Sequence, residues 1–313
     1  MKKYLDIVQD VLDNGQKVPN RTGIDALAIP NAHFSHNFGT KEGNVCHNFP
    51  LLTTKKIATK ALSIELEGFI GGITDKKWYQ AQGCKIWNEW ANPLETFTNM
   101  MRLGYLVNDE AGKKEVQAAT QDLGPIYGFQ WRRFGAYYED GNPINTKLEP
   151  LIKDSSDQLA RLIKMLKTNP NDRRLVCSAW NPKDLDRMAL PPCHLCFVVT
   201  VINDTLSLHW TQRSCDLMLG VPFNIASYGM LMCLLCHHAG LKPGNLSGML
   251  CNCHIYENHI DGAKEQLARE PRSLPSLQIS QDSDSFNLFE WTHQDVQFLD
   301  YNPHSTIKLE VAI

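Results

Sequence analysis

The segment Phe223–Ala239 constrains the fold of this chain more than any other stretch. It carries no Asp, Glu, Lys or Arg, is apolar on all sides and ends at Gly240. A helix that is apolar around its whole circumference has to be buried. The uninterrupted apolar run, Met230–Cys236, is far shorter than the roughly 20 residues that span a bilayer. The sequence therefore predicts a central helix in the core of a globular domain.

Periodicity places other elements around this helix. Apolar residues at helical spacing predict helices at 2–14, 58–70, 75–83, 156–166 and 258–269. Alternating segments predict strands at 25–36, 44–53, 174–180, 197–202, 205–210 and 249–256. Asn203-Asp204 is a typical hairpin turn, residues 105–121 are a polar surface excursion, and 306–313 are a strand or an ordered flap. Because no Gly/Ser-rich or Pro-rich linker divides the chain, we predict one large α/β domain.

Composition excludes some classes of protein. The chain has 313 residues and a formal net charge of -3, which argues against binding driven by phosphate neutralisation of nucleic acid. The N-terminus lacks the apolar core of a signal peptide, since Asp6, Asp10 and Asp13 interrupt it. We therefore predict a soluble, cytoplasmic protein without a membrane partner, in which the ten cysteines are reduced thiols.

The chemistry is concentrated in Pro191-Pro-Cys-His194 and Gln212-Arg-Ser-Cys-Asp216. A thiol becomes a good nucleophile as thiolate, which a neighbouring guanidinium or imidazolium stabilises. Arg213 follows the predicted hairpin, so antiparallel pairing would bring it to Cys193. Asn224 lies close behind, and an asparagine amide can recognise a heterocycle with one donor and one acceptor. The set predicts a cysteine enzyme that acts on a small phosphorylated heterocycle.

A metal site is the main alternative for these cysteines. Cys193 and Cys196, and again Cys233 and Cys236, have the Cys-x-x-Cys spacing of zinc ligands and redox dithiols. The second pair, however, lies inside the predicted apolar helix and not in a loop. We therefore expect no metal site.

Several polar residues have both a structural and a functional interpretation. Glu65 is either a paired charge or a proton-handling group with a raised pKa. Asn224 could also cap a helix. The remaining candidates are solvated charges or core residues when taken singly: Arg21, Arg173, Arg174, Trp87, Trp90, His254 and Tyr256.

Taken together, the segments resemble the thymidylate synthase family, whose members methylate deoxyuridine monophosphate (dUMP) with a folate. The matching segments, in chain order, are Asn20–Gly23, Pro50–Lys56, Ile86–Trp90, Asp122–Gly128, Asp172–Leu175, Ser178–Asn181, Met188–His194, Gln212–Ser214, Pro222–Tyr228, His254–Tyr256 and Val311–Ile313. The resemblance implies a single catalytic domain over residues 1–313, of α/β (α+β) class. Its mixed, mostly antiparallel sheet would be packed by helices and form a homodimer interface.

The resemblance also implies roles for residues. Cys193 would attack C6 of uracil, and Glu65, Tyr127 and His194 would support proton transfers. Trp87 would shield the methylene intermediate until hydride arrives. The phosphate, base and sugar would be bound by Arg21, Gln212, Arg213, Ser214, Asn224, His254, Tyr256 and, from the partner subunit, Arg173 and Arg174. Methylenetetrahydrofolate would contact Glu65, Trp87, Trp90, Asp216 and Ile313, and no metal, flavin or nicotinamide is implied.

Four positions depart from the family pattern. Glu67 and Gly68 stand where leucine and tryptophan are usual, Thr211 replaces a tyrosine, and Cys251-Asn252 replaces Gly-Asp. The related hydroxymethylases let water capture the methylene, and Glu65-Leu-Glu67 resembles their helix. A dUMP hydroxymethylase, and an inactive nucleotide- or RNA-binding relative, are therefore the alternatives.

Overall fold

The computed structural model describes residues 1–20, 23–106, 108–149 and 155–310. Its α-helices are α1 (Lys2–Asn14), α2 (Thr59–Gly71), α3 (Lys76–Ala81), α4 (Pro93–Leu103), α5 (Glu110–Ala119), α6 (Tyr127–Arg133), α7 (Gln158–Thr168), α8 (Gly220–Ala239) and α9 (Ile260–Leu267). Its strands are β1 (Gln16–Val18), β2 (Ala26–Asn37), β3 (Lys41–Glu42), β4 (Val45–Cys46), β5 (Val176–Ser178), β6 (His194–Ile202), β7 (Thr205–Gln212), β8 (Cys215–Asp216), β9 (Lys242–Tyr256), β10 (Ser276–Ile279) and β11 (Val296–Leu299).

The strands form two sheets. The larger has the order β1-β2-β9-β7-β6-β5, with β8 paired to β9, and the smaller has the order β11-β10-β4-β3. Pairing is antiparallel except that β7 and β8 run parallel to β9. The predicted mixed, mostly antiparallel sheet packed by helices is thus confirmed.

Helix α8 forms the centre of the core, as its composition predicts. It connects β8 to β9 and contacts β7, β8 and β9 on one side and α2 and α7 on the other. Side chains all around it, among them Met230, Leu231 and Leu234, are fully buried. By length and composition α8 could span a membrane, but 78% of it is buried inside the protein, as is usual for the core helix of a soluble protein.

The opposite face of the large sheet is much less covered. Along β7, residues buried under α8 alternate with half-buried ones, and Val176, Ile202 and Met249 on β5, β6 and β9 are exposed. Strands with one well-buried face and one apolar, accessible face are suited to pack against a further layer.

Several boundaries differ from the sequence prediction. The predicted strand at 44–53 is wrong beyond Val45–Cys46, because residues 49–55 are buried without sheet pairing. The segment 174–180 is extended over Val176–Ser178 alone, and the described tail, 306–310, is irregular instead of a strand. Helices α4, α5 and α6 and strands β1, β3, β8, β10 and β11 were not predicted. The strands and α6 are short, so their periodicity is weak, and α5 lies within the segment interpreted as a polar surface excursion.

A buried ion pair fastens α6 to α7. The Arg132 side chain is inaccessible to solvent, and its Nε lies 2.9 Å from Asp157 Oδ2. The same guanidinium donates to the carbonyl oxygens of Ile70 (2.9 Å) and Leu148 (2.8 Å). Asp157 also caps α7 by accepting a hydrogen bond from the Ala160 N–H at 2.8 Å. One carboxylate therefore neutralises a buried cation and begins a helix.

We expect Asp157→Ala to lower the free energy of unfolding by about 3–5 kcal/mol, because it leaves the Arg132 charge buried without its partner. Asp109 is the matched control, since it caps α5 through the Gly112 N–H without a buried ion pair. Asp109→Ala should cost only about 1 kcal/mol. Urea unfolding of the two variants checks this, and equal losses would contradict the role of the ion pair.

Candidate active site

The residues that the sequence singled out converge on one cleft of about 2110 Å³ between the large sheet and the helices. The predicted site residues that line it are Glu65, Trp87, Trp90, Tyr127, Cys193, His194, Gln212, Arg213, Ser214, Asp216, Asn224, His254 and Tyr256. They come from α2, the turn at 87–90, the start of α6, the β6–β7 pair, the start of α8 and the end of β9. A cleft of this size accommodates two small molecules side by side.

Cys193 lies immediately before β6, where Pro191 and Pro192 end an irregular segment. Its N–H donates to the Tyr127 hydroxyl oxygen at 2.8 Å, and its carbonyl oxygen accepts from the Arg213 N–H at 2.8 Å. The antiparallel pairing of His194 with Gln212 produces this contact. The Arg213 guanidinium donates to the carbonyl oxygens of Pro192 (2.9 Å) and Pro191 (2.7 Å). Both the N–H and the guanidinium of Arg213 therefore hold the backbone at and before Cys193.

His194 does not provide a second cation. It is buried, and burial lowers the pKa of its imidazole to about 3. Its Nδ1 lies 2.9 Å from the Tyr228 hydroxyl oxygen, and its ring stacks on Tyr127 at 4.3 Å between centroids. The imidazole is therefore neutral near pH 7. Of the two kinds of cation that could stabilise a thiolate, a guanidinium or an imidazolium, this leaves the guanidinium of Arg213.

Glu65 is a carboxyl group in a dry part of the cleft wall. It is 9% exposed on α2, and burial raises its pKa to about 7. The Trp87 indole N–H opposes this shift in part, but it is itself buried and makes no hydrogen bond of normal distance and angle. Glu65 can therefore take up or release a proton near neutral pH, beside a donor that is available to a ligand.

A chain of three side chains orients the Asn224 amide. The Trp210 indole can only donate, and its N–H points to Gln212 Oε1 at 3.1 Å. This fixes Gln212 Nε2 as the donor to Asn224 Oδ1, at 2.9 Å. Asn224 Nδ2 is then a donor toward the cleft, while Oδ1 retains a second lone pair. The amide can recognise a carbonyl next to an N–H, the pattern found on uracil.

The nearby polar groups are also held by the backbone. Asp216 Oδ1 accepts from the N–H groups of Met218 (2.9 Å) and Leu219 (3.1 Å) before α8 begins. His254 Nδ1 lies 2.9 Å from the Asn252 carbonyl oxygen, and its ring meets Tyr256 edge-on at 5.2 Å. Their remaining polar atoms can face the cleft.

Two of the predicted residues, Arg173 and Arg174, do not line the cleft. Arg173 and Arg174 are exposed away from it, and Arg174 pairs with Asp172 at 2.7 Å. Arg21 and Ile313 lie outside the described residues.

Glu67 does not line the cleft. It is 4% exposed and pairs with Lys147 Nζ at 3.2 Å. Its other oxygen accepts from the backbone N–H of His293 at 2.8 Å and lies 2.9 Å from His293 Nδ1. Glu67 therefore connects α2 to the segment around His293.

The space left by the missing side chain at Gly68 is filled by a neighbouring aromatic ring. A Cβ at this position would lie 2.3 Å from the Tyr79 Oη and 2.5 Å from its Cζ. Tyr79 is fully buried and donates to the Ile73 carbonyl oxygen at 3.3 Å. An aromatic side chain from α3 thus occupies the space beside α2. A tryptophan at position 68 requires a smaller residue at position 79.

The other departures fit the backbone. Asn252 has φ of 51°, a left-handed conformation that asparagine adopts more readily than most residues. Thr211 pairs with Cys196 in the β6–β7 register. Neither change disturbs the strands that hold His254 and Arg213.

One wall of the cleft was missed from the sequence. Helices α4 and α5 contribute Phe97, Met100 and Gln117. The signal for α4 was present in Asn92-Pro93, because the Asn92 side chain accepts from the Leu94 N–H at 3.0 Å and proline is favoured in a first turn.

The zinc interpretation finds no support among the described residues, where no group of three or more His, Cys, Asp or Glu side chains could hold a metal ion. Cys233 and Cys236 are fully buried in α8, and Cys193 and Cys196 lie at the start of β6. The ten cysteines, all within the described ranges, form no disulfide.

The Glu65 pKa predicts a pH effect on stability. A carboxyl group whose pKa is raised from 4.5 to about 7 binds more protons when folded, so it lowers stability as pH rises between these values. We expect Glu65→Gln to be more stable relative to wild type at pH 8 than at pH 5. Urea unfolding at both pH values measures this. A stability difference that is independent of pH would show that Glu65 does not titrate in this range.

The sequence comparisons agree with the geometry of the cleft. A family model described as Thymidylate synthase matches residues 2–313. Thymidylate synthase of Homo sapiens is 42% identical over 312 residues, covering 99% of this chain and 90% of the human protein. Thymidylate synthase of Coxiella burnetii is 41% identical over 313 residues, covering all of both chains, and that of Saccharomyces cerevisiae is 40% identical over 324 residues, covering 100% and 97%. The chain belongs to the thymidylate synthase family.

Proposed function

We propose that the cleft methylates C5 of dUMP with methylenetetrahydrofolate, giving dTMP and dihydrofolate through a covalent Cys193 adduct. The observation that supports this most directly is that Cys193, Glu65 and Asn224 line one cleft. A nucleophile, a proton-handling acid and an oriented amide are the groups that this reaction requires. Methylenetetrahydrofolate is the co-substrate and supplies both the carbon and the hydride. The reaction therefore requires no metal, flavin or nicotinamide.

Cys193 starts the reaction by adding its sulfur to C6 of the uracil, which makes C5 a nucleophilic enolate carbon. The neighbouring Arg213 guanidinium favours the thiolate. The Tyr127 hydroxyl oxygen accepts a hydrogen bond from the Cys193 N–H, so its own O–H can still donate a hydrogen bond to a ligand. Neutral His194 holds the Tyr127 ring by stacking. We assign these two residues to proton transfers near C5 and the base.

Asn224 binds the pyrimidine edge. Its oriented amide donates to the carbonyl at C4 and accepts from the N3–H, and the amino group of cytosine cannot match this pattern. Gln212 fixes the amide, and Arg213 and Ser214 lie on the same side of the cleft, where they bind the phosphate together with Arg21. His254 and Tyr256 bind the deoxyribose hydroxyl.

The folate lies on the side of the nucleotide that faces away from Asn224, Arg213 and Ser214. Trp87 and Trp90 cover it, Asp216 and Glu65 accept hydrogen bonds from the pterin, and Ile313, outside the described residues, is a further candidate contact. The N–H of Trp87 fits this arrangement, because it is buried and makes no hydrogen bond of normal geometry to Glu65, so an acceptor on a ligand would lower the cost of its burial. Trp87 then excludes water until hydride transfer is complete.

Incubation of the purified protein with dUMP and methylenetetrahydrofolate should give dTMP and dihydrofolate by mass spectrometry. Cys193→Ser should lower kcat by at least about 10³-fold, because it removes the nucleophile. Cys196→Ser, three residues further along in β6 and outside the cleft, is the control and should keep activity comparable with wild type. Hydroxymethyl-dUMP with tetrahydrofolate as products, or an active Cys193→Ser, would overturn the proposal.

We further propose that the catalytic domain spans residues 1–313, is cytoplasmic and functions as a homodimer. The half-covered face of the large sheet, with exposed Val176, Ile202 and Met249, supports an interface there. Arg173 and Arg174 precede β5 at the edge of this sheet and are exposed. In a dimer they would reach the phosphate in the partner's cleft.

Subunit mixing tests this arrangement. Cys193→Ser supplies intact arginines, and a variant with Arg173→Glu and Arg174→Glu supplies an intact thiol. Each should be inactive alone, and a mixture refolded together should regain activity, since one of the two clefts in a heterodimer has both parts. Sedimentation should show a dimer. A mixture that stays inactive although heterodimers form would contradict donation of the arginines across the interface.

A further inference from the structure

Lys76 is a lysine without any exposed surface, in the first turn of α3. Its ammonium donates three hydrogen bonds to backbone carbonyl oxygens: Asn88 at 3.1 Å, Trp90 at 3.1 Å and Gln117 at 3.0 Å. An ammonium has three N–H donors, so each one has a partner. Fully buried lysines are rare in proteins and occur where such partners compensate for lost hydration.

The three acceptors belong to two separate parts of the cleft wall. Asn88 and Trp90 belong to the turn that carries Trp87, and this turn contains no regular strand or helix. Gln117 lies in the last turn of α5, where carbonyl groups lack partners within the helix. A positive charge at that end also complements the helix dipole, and α5 has no basic residue in its own last turn. Lys76 therefore connects the turn to α5.

The connected parts face the cleft together. Trp87, Trp90, Phe97, Met100 and Gln117 all line it, from the 87–90 turn, α4 and α5, and we call them the folate wall. Cys193 lies just before β6, Asn224 in α8 and His254 in β9. None of these three residues accepts a hydrogen bond from the Lys76 ammonium. Displacement of the Lys76 ammonium should thus shift the folate wall and leave Cys193, Asn224 and His254 in place.

We propose that Lys76 is a positioning residue for the folate, which holds the folate wall in place by fastening the 87–90 turn to α5. This inference rests on the proposed function, since it assumes that folate binds against Trp87 and Trp90. Lys76 itself touches neither substrate. Its effect is to keep two carbonyl groups of the turn and the end of α5 at fixed positions.

The test compares Lys76→Met with Lys77→Met. Methionine keeps most of the side-chain volume but removes all three hydrogen bonds, and Lys77 is an adjacent, exposed lysine. We expect Lys76→Met to raise KM for methylenetetrahydrofolate by about tenfold or more, because buried carbonyls lose their partners. KM for dUMP should stay close to wild type, and Lys77→Met should change neither. Equal changes in both KM values, or a fall in kcat alone, would show a merely structural role.

A second measurement uses the wild-type protein and does not depend on the folding of a variant. With dUMP present, tetrahydrofolate should slow hydrogen exchange at backbone amides of both 87–92 and 110–119, since Lys76 links them. Protection of 87–92 without 110–119 would overturn the coupling. Failure of the proposed function is distinguishable, because wild-type protein would then form no dTMP, whereas failure of this inference leaves wild-type catalysis intact.

Discussion

The burial of α8 against one face of the large sheet is the constraint on which the rest of the structure depends. The helix has no polar face, so the sheet, α2 and α7 must enclose it. Asn224 lies in its first turns, and Asp216 just before it, so the packing that hides the helix also brings both to the cleft. The same packing leaves the other face of the sheet available for a second subunit. The packing that forms the core therefore also positions the side chains of the site.

Burial away from water determines which ionisable groups around this core are charged. Burial keeps His194 neutral and raises the pKa of Glu65 to about 7, so neither behaves as it would in water. Arg132 stays charged because Asp157 and two carbonyl groups compensate for its burial, and Lys76 is retained by three carbonyl groups. Arg132 and Lys76 thus have partners for their buried charges and hold elements together, whereas His194 stays neutral and Glu65 can exchange its proton.

Some of this could be predicted from the sequence. The all-apolar run at Phe223–Ala239 and the hairpin around Asn203-Asp204 are strong local signals, and the structure contains both elements. The convergence of Cys193 and Arg213 follows from that hairpin. The partners of Lys76 could not be predicted, because they lie 12 to 41 positions away and are backbone atoms that carry no sequence signal. Strands β10 and β11 are short, and their pairing with each other depends on tertiary contacts.

A substitution that departs from the family pattern can be interpreted only together with the residues that pack against it. Glu67 resembles the hydroxymethylase helix when considered by itself, yet it pairs with Lys147 and His293 away from the cleft. Gly68 stands where the family has a tryptophan, yet Tyr79 occupies the space beside it. In both cases the compensating residue comes from another element, so the substitution and its partner form one unit. Under the proposed function, shielding of the intermediate depends on Trp87, whose turn accepts two hydrogen bonds from Lys76, and not on the position where the family places its tryptophan.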